Sequence, residues 1–399
     1  MKKLVLLTLF AAASLGASAQ YYQDAINKDM LHIRQPRTKT RVEFNAPDID
    51  GYKAFKADLH THTIYSDGHF SMEGRIEEAW RDGMDIMAVT EHLEYRPHEK
   101  TLVKYLKGYM PKGTKAQAYS FVSRNRPASS DEIKVDFNVP VEEARTIAKS
   151  FDMTIIPGIE ITRKEGEYSH FNALFTTDNN TIYAPETIQS LRNAKAQGAL
   201  VMHNHPGWRH LDMKLTKFEK EVYKEKLIDG IEIMNGTEFY PQAITRSYKY
   251  GLFMASCTDV HTTSAERYGS TGARRNMTLI YAKDKSLASL REAIEAHRTL
   301  AYSFGTLAGS EELLRKFFLS SVSGHKTAAD HKGRAKLILT NTSSVDWLIS
   351  LDGANMIELR GNSSAIVSWD PSKENKLTIH NTWYGENEHL TLDLDSCTK

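Results

Sequence analysis

From about residue 55 to about residue 320, short apolar runs alternate with segments of helical period, and this alternation limits the fold more than any other feature of the chain. The strand-like runs are Lys56 to His60, Asp85 to Thr90, Thr154 to Ile159, Phe171 to Phe175, Ala199 to Met202, Gly230 to Met234, Leu252 to Ser256 and Met277 to Tyr281. Between them, Ser71 to Asp82 sets Ile76, Ala79 and Trp80 on one helical face, and Gly83 closes it. Pro185 to Gln197, Tyr240 to Tyr250 and Leu287 to His297 also fit helices. Alternating β and α predicts an α/β fold with a parallel sheet closed into a barrel.

The flanks follow other patterns. Lys2 and Lys3 precede the apolar run Leu4 to Ala13, and Ala17-Ser18-Ala19 follows. A basic start, a short apolar core and an A-x-A site predict a signal peptide over 1–19 and a periplasmic or secreted protein. The run is too short to span a membrane. Residues 20–54 read as an extended N-terminal segment, and 55–322 as the barrel. Over 325–399 the runs Lys336 to Thr340, Trp347 to Leu351, Ile357 to Arg360, Ser364 to Trp369, Leu377 to His380 and Leu390 to Leu394 predict a small sandwich-like all-β domain. Residues 101–130 carry Lys104, Lys107, Lys112, Lys115, Arg124 and Arg126 without one acidic residue. This insertion is either a solvated loop or a basic lid over an anionic substrate.

Composition removes several function classes. Lys+Arg is 51 against 50 Asp+Glu, a net charge of +1, so no global field points to nucleic acid. Cys257 and Cys397 are the two cysteines, too few for a disulfide framework or a Cys-rich zinc module. Histidine, at 16 residues, is where the chemistry gathers. His60 and His62 end the first run, two apart and therefore on one face of a strand. Asp67 follows them. His92 and Glu160 end the next two runs, and His170 opens another. His203 and His205 end the run from Ala199, and Asp259 and His261 follow the run from Leu252. In a parallel barrel the carboxyl ends form one rim, where active sites sit. So many N and O donors exceed the needs of one ion and imply two or three divalent metals; mixed imidazole and carboxylate suits Zn, Mn or Fe. Cys257 reads as a packed residue.

This succession of H-x-H, D, H, E, H, H and D-x-H resembles the PHP superfamily, named for polymerase and histidinol phosphatase. The resemblance runs from Phe55 to about Ser320. It implies a distorted seven-stranded (β/α)7 TIM-like barrel with up to three metals and, in many members, phosphoesterase activity. Carried over, the first metal would take His60, His62, Glu160 and Asp259. The second would share Glu160 and take His170 and His205, and the third would take Asp67, His92 and His261. His205 matches the family ligand better than His203, which becomes a substrate or outer contact. Glu94 to His98, Glu160 to Arg163 and His170 to Phe175 are similar to a secreted bacterial branch of phosphodiesterases, although the insertion at 101–130 is longer than that branch implies.

Phosphate esters need a nucleophile and charge stabilisation, which two metals about 3.5–4 Å apart supply by sharing and activating a hydroxide. Glu160, Asp259 and His205 are expected at the reacting centre, with Arg163, Arg209, Arg274, Arg275, His203 and Tyr95 as substrate contacts. The expected partner is a small-molecule phosphate ester, diester ahead of monoester, and not nucleic acid. An amidohydrolase-type C–N hydrolase and a non-enzymatic metal- or glycan-binding module remain as alternatives. Because every ligand precedes residue 262, removal of the β domain is expected to leave activity in part.

Overall fold

The structure, a computed structural model, describes residues 21–33, 41–98, 136–162, 168–328, 331, 335–370 and 372–398. The expected signal peptide, the basic insertion and Arg163 lie outside the described residues. Two compact units emerge, up to Thr40 and from Arg41 onward. In the first, β1 (Tyr21–Gln23) and β2 (Leu31–Ile33) form an antiparallel hairpin. Its turn is set by Asp24, whose carboxylate accepts from the amides of Ile26 and Asn27.

The second unit is built on one curled sheet. Its strands are β3 (Lys53–Asp58), β4 (Ile86–Val89), β5 (Thr154–Ile161), β6 (His170–Leu174), β7 (Leu200–Asn204), β8 (Gly230–Asn235), β9 (Glu238–Phe239), β10 (Phe253–Cys257), β11 (Met277–Ala282), β12 (Thr299–Ser303), β13 (Thr306–Gly309) and β20 (Thr382–Trp383). The order is β10-β8-β7-β6-β5-β4-β3-β11-β12-β13-β20, with β9 on β8. The expectation of a seven-stranded, parallel barrel is therefore corrected: among the described residues the sheet has 12 strands in mixed directions. β6 runs antiparallel to both neighbours. The connection from β5 is too short to hold a crossover helix, so the chain must turn back as a hairpin. β11, β12 and β13 add an antiparallel flap beside β3. Beyond the named ends of β3 and β10, Thr61 and Val260 form an isolated parallel bridge, which draws the two sides of the sheet together at the rim.

Helices cover the outside of the curl, and their starts follow capping chemistry. In α1 (Met72–Arg81) the Ser71 side chain accepts from the Gly74 amide. α2 (Val139–Ala148) begins with proline in its first turn. α3 (Thr187–Ala196) follows, and then α4 (Lys217–Lys224), where Thr216 and Glu219 form a complete capping box. α5 (Pro241–Tyr250) ends on Gly251 at φ 64°, a left-handed position that glycine takes without strain. α6 (Ser264–Tyr268), α7 (Leu287–Glu295) and α8 (Glu311–Ser321) follow. Inside the curl, Leu59, Ile86, Ala88, Ile156, Met202 and Phe253 form one buried cluster.

The C-terminal strands form two further antiparallel sheets. One orders β14 (Val322–Lys326), β15 (Ala335–Asn341) and β18 (Ser363–Trp369); the other orders β17 (Ile357–Leu359), β16 (Trp347–Leu351), β19 (Lys376–Ile379) and β21 (Leu390–Asp393). Burial alternates along β15, as it must for a strand with one wet face. These strands share a core with the barrel. Leu337, Trp347 and Ile379 belong to the same buried cluster as Phe317 and Phe318 of α8 and Met277 and Leu279 of β11. β20 leaves the C-terminal sheets altogether and pairs with β13.

Candidate metal centre

The H-x-H and D-x-H motifs are held in register by backbone bonds. The Asp259 amide donates to the His60 carbonyl (2.9 Å), and the His62 amide donates to the Val260 carbonyl (3.3 Å). His205 and Asp259 both have positive φ, 25° and 49°, in a region non-glycine residues rarely occupy. Such strain concentrates at functional sites.

Glu160, near the end of β5 and fully buried, is the centre of the arrangement. Its Oε2 stands 2.7 Å from His92 Nδ1, 3.4 Å from His62 Nε2 and 3.5 Å from His60 Nε2. Its Oε1 stands 3.2 Å from His170 Nδ1 and 3.9 Å from His205 Nε2, and accepts from Asn204 Nδ2 at 3.0 Å. Asp259 Oδ1 lies 3.1 Å from His62 Nε2 and 3.3 Å from His60 Nε2. Asp67 Oδ1 lies 3.3 Å from His92 Nε2 and 3.2 Å from His261 Nε2. Three groups able to hold an ion result: His60, His62 and Glu160; Glu160, His170 and His205; and His62, Asp67, His92 and His261. They are contiguous, sharing Glu160 and His62.

The donors fit divalent metals. Glu160 Oε2 and Asp67 Oδ1 are buried without a hydrogen bond. His60 Nε2 and His62 Nε2 face each other at 3.1 Å, both close to the same Glu160 and Asp259 oxygens. Lone pairs from four groups aimed at one point are the arrangement a cation satisfies. The charges of the cluster are tightly coupled. Burial alone would raise the Glu160 carboxyl, but the His92 and His60 charges overcome it and hold it well below the usual range. Asp259 is held low in the same way against its burial, by His60 and His62. Burial and the neighbouring His92 and His261 push His62 down to about 3, and burial with His170 pushes His205 down to about 4. The facing carboxylates raise His60, His92 and His261 against their burial, so at these three a metal would displace a proton to reach the neutral imidazole it binds.

The expected substrate contacts divide. Arg209, exposed, stacks its guanidinium 4.4 Å from the Trp208 ring centre and 5.2 Å from that of Tyr168. Trp208 in turn packs 5.3 Å from His170 and 5.2 Å from His205, so this cation stands at the rim. Tyr95 is 47% exposed, edge-on to His92. His203 is not brought to the site. It lies on the other face of β7, stacked on Phe171 and bonded to Tyr223 and Glu219, because strand alternation gives the inner position to Asn204. Arg275 is also absent from the rim: it is buried, pairs with Asp58 at 2.6 Å and reaches Asp82 at 3.3 Å. Arg274 bonds the Glu43 carbonyl and covers Phe44.

Sequence reasoning missed the carboxylates behind the ligands. Glu91 accepts from the hydroxyls of Thr63 and Ser66, and Ser66 reaches His62 Nδ1 at 3.4 Å. Glu232 accepts from His60 Nδ1. The signal for Glu232 was available: a lone acid in the otherwise apolar run Gly230 to Met234 must find buried partners.

Comparison with known proteins gives this geometry its relatives. The PHP domain model matches residues 58–346. A two-domain protein containing a predicted PHP-like metal-dependent phosphoesterase, from Bacteroides vulgatus ATCC 8482, is similar at 28% identity with a TM-score of 0.75, over 88% of this chain and 98% of its own. An amidohydrolase from Chromobacterium violaceum shares 14% identity over 53% of this chain and 89% of its own, with a TM-score of 0.34. The lesion-specific endonuclease of Pyrococcus furiosus shares 16% identity over 65% of this chain and 59% of its own, with a TM-score of 0.38. No curated protein matches the chain. With a matching domain over most of its length and the imidazole–carboxylate cluster inside that span, the chain belongs to the PHP domain family.

Proposed function

We propose that this protein is a secreted, multinuclear metal-dependent phosphoesterase that prefers phosphodiesters. The observation that carries the reading is the shared carboxylate: the two oxygens of Glu160 face different imidazole sets, as a residue bridging two ions would. The first metal would be held by His60, His62, Glu160 and Asp259, the second by Glu160, His170 and His205, and the third by Asp67, His92 and His261, with His62 close enough to join. Zinc, manganese or iron suits these donors. Bound there, the metals would supply charge for the phosphoryl oxygens and an activated nucleophile.

The chain's own residues do the rest. Asn204 donates to Glu160 and fixes its plane. Trp208 walls the His170–His205 side and carries Arg209, a preorganised cation for a substrate anion. Tyr95 offers an apolar surface beside His92, which suits an ester's second substituent better than a ring of cations would. Export is supported by the basic start, the apolar run to Ala13 and the Ala17-Ser18-Ala19 site. Among the described residues no helix is long and apolar enough to cross a membrane.

The test is a paired assay on stripped enzyme reloaded with Mn, Zn or Fe, using p-nitrophenyl phosphate and its bis-ester. A higher kcat/KM on the diester is expected. A monoester preference above about tenfold, ~1.4 kcal/mol in the transition state, reverses the preference. No hydrolysis of either ester by fully loaded protein overturns the phosphoesterase reading.

A further inference from the structure

We propose that Glu232 is a positioning residue of the metal centre, a buried carboxylate that fixes the His60 ring and ties the β7 and β10 rim segments to it. The inference rests on the reading of the cluster as a metal site. Glu232 lies in the middle of β8 and is fully buried, yet it does not aim at the ions' position itself. Its Oε1 is 2.8 Å from His60 Nδ1. Its Oε2 accepts from the His205 amide at 2.7 Å and from Asn235 Nδ2 at 2.8 Å. The same Asn235 amide reaches Asp259 Oδ2 at 3.5 Å.

A carboxylate only accepts, so His60 carries a proton at Nδ1 toward Glu232; with a metal held among Nε2, Glu160 and Asp259, Nε2 would present its lone pair to the ion. That is the tautomer a metal at this point requires. The second oxygen holds the backbone where the chain leaves β7 for His205, and Asn235 extends the same hold to Asp259. One side chain thus orders ligands assigned to two ions. A glutamine could not replace it. Three donors converge on two oxygens, and an amide NH2 would face one of those donors with another N–H.

The experiment is Co(II) binding to the stripped full-length chain, measured by chelator competition and by the visible spectrum, for wild type, Glu232→Gln and Glu219→Gln. Glu219 is a buried carboxylate that serves His203 and Ser169 on the outer face of β7. Glu232→Gln is expected to weaken the tightest Co(II) site about 10–100-fold and to alter its ligand-field bands. Glu219→Gln should lower the melting temperature with Co(II) affinity unchanged. Equal affinity and spectrum for Glu232→Gln and wild type overturn the proposal while leaving the metal reading intact. A wild-type chain that takes up no Co(II) overturns both. If Glu232→Gln does not fold, imidazole 15N correlation spectra of wild type loaded with zinc decide the matter. A proton on His60 Nδ1 is expected, and a proton on Nε2 refutes the assignment.

Discussion

Replacing Trp347 by alanine should destabilise the barrel and the C-terminal sheets together. Trp347 is fully buried in β16 and meets α8 through two edge-on contacts, with Phe317 at 5.6 Å and Phe318 at 5.3 Å. Both phenylalanines are fully buried, in a cluster that continues into β11. Truncating a buried tryptophan costs about 3–5 kcal/mol, and two aromatic contacts place this site in the upper part of that range. The indole N–H has no hydrogen-bond partner, so its removal returns about 1 kcal/mol. The net loss is about 3–4 kcal/mol, or roughly 4–5 °C in melting temperature for a cooperative unit running from Arg41 onward. Trp347→Phe keeps most of the apolar contact, removes the unpaired N–H, and should cost about 1 kcal/mol or less. Calorimetry of the metal-free protein is the assay, because bound metal would mask the core. A single transition that moves down as a whole is expected. A separate low-temperature transition, with the main one shifted by less than about 2 °C, would show that the shared core couples nothing and refute the reasoning.

The remaining predictions concern charge, ligands and close contacts. Arg275→Gln should cost about 3–5 kcal/mol in urea unfolding, since it strands the buried Asp58 carboxylate, whereas Arg274→Ala should stay within about 0.5 kcal/mol. Asp67→Asn should lower the metal content by one ion per chain, read by elemental analysis; unchanged content would remove Asp67 from the ligand set. Gly68→Ala would set a Cβ 2.7 Å from the His62 carbonyl carbon and the Thr63 nitrogen, so it should cost about 1–3 kcal/mol and displace Asp67. A stable variant with full metal content would contradict that. Arg209→Ser should raise KM more than it lowers kcat, most strongly at low salt.

The fold was legible where local pattern and tertiary demand coincide. The run Thr154 to Ile159 became β5 because its β-branched residues suit a buried strand while Pro157 and Gly158 disfavour a helix, and Ser71 to Asp82 became α1 because capping and amphipathic period agree. The donors at strand ends converge because a rim collects strand ends regardless of strand direction. What sequence could not supply is direction and face. The His170 run looks the same whether it enters the sheet parallel or antiparallel, and connection length alone betrays the hairpin. His203 and His205 both read as rim residues, but the strand extends to Asn204 and turns His203 outward. Arg275 looked like a phosphate contact because its partners Asp58 and Asp82 are remote in sequence. The shared core was hidden for the same reason, since β20 joins β13 across more than seventy residues.

The reversed direction of β6 has a consequence for how such a protein can diversify. In a wholly parallel barrel, every loop that leaves the rim leads to a helix and returns at the opposite end. Here the chain departs from the rim just after Glu160 and comes back to it at His170, so both ends of one connection are pinned by candidate ligands. A change in the length of that connection leaves the register of β5 and β6 as it is, because their pairing is fixed on the strands themselves. Doubling a loop costs only about 0.6 kcal/mol in closure entropy. Exchange of this one hairpin tip among relatives is therefore the smallest graft expected to carry substrate preference from one barrel to another.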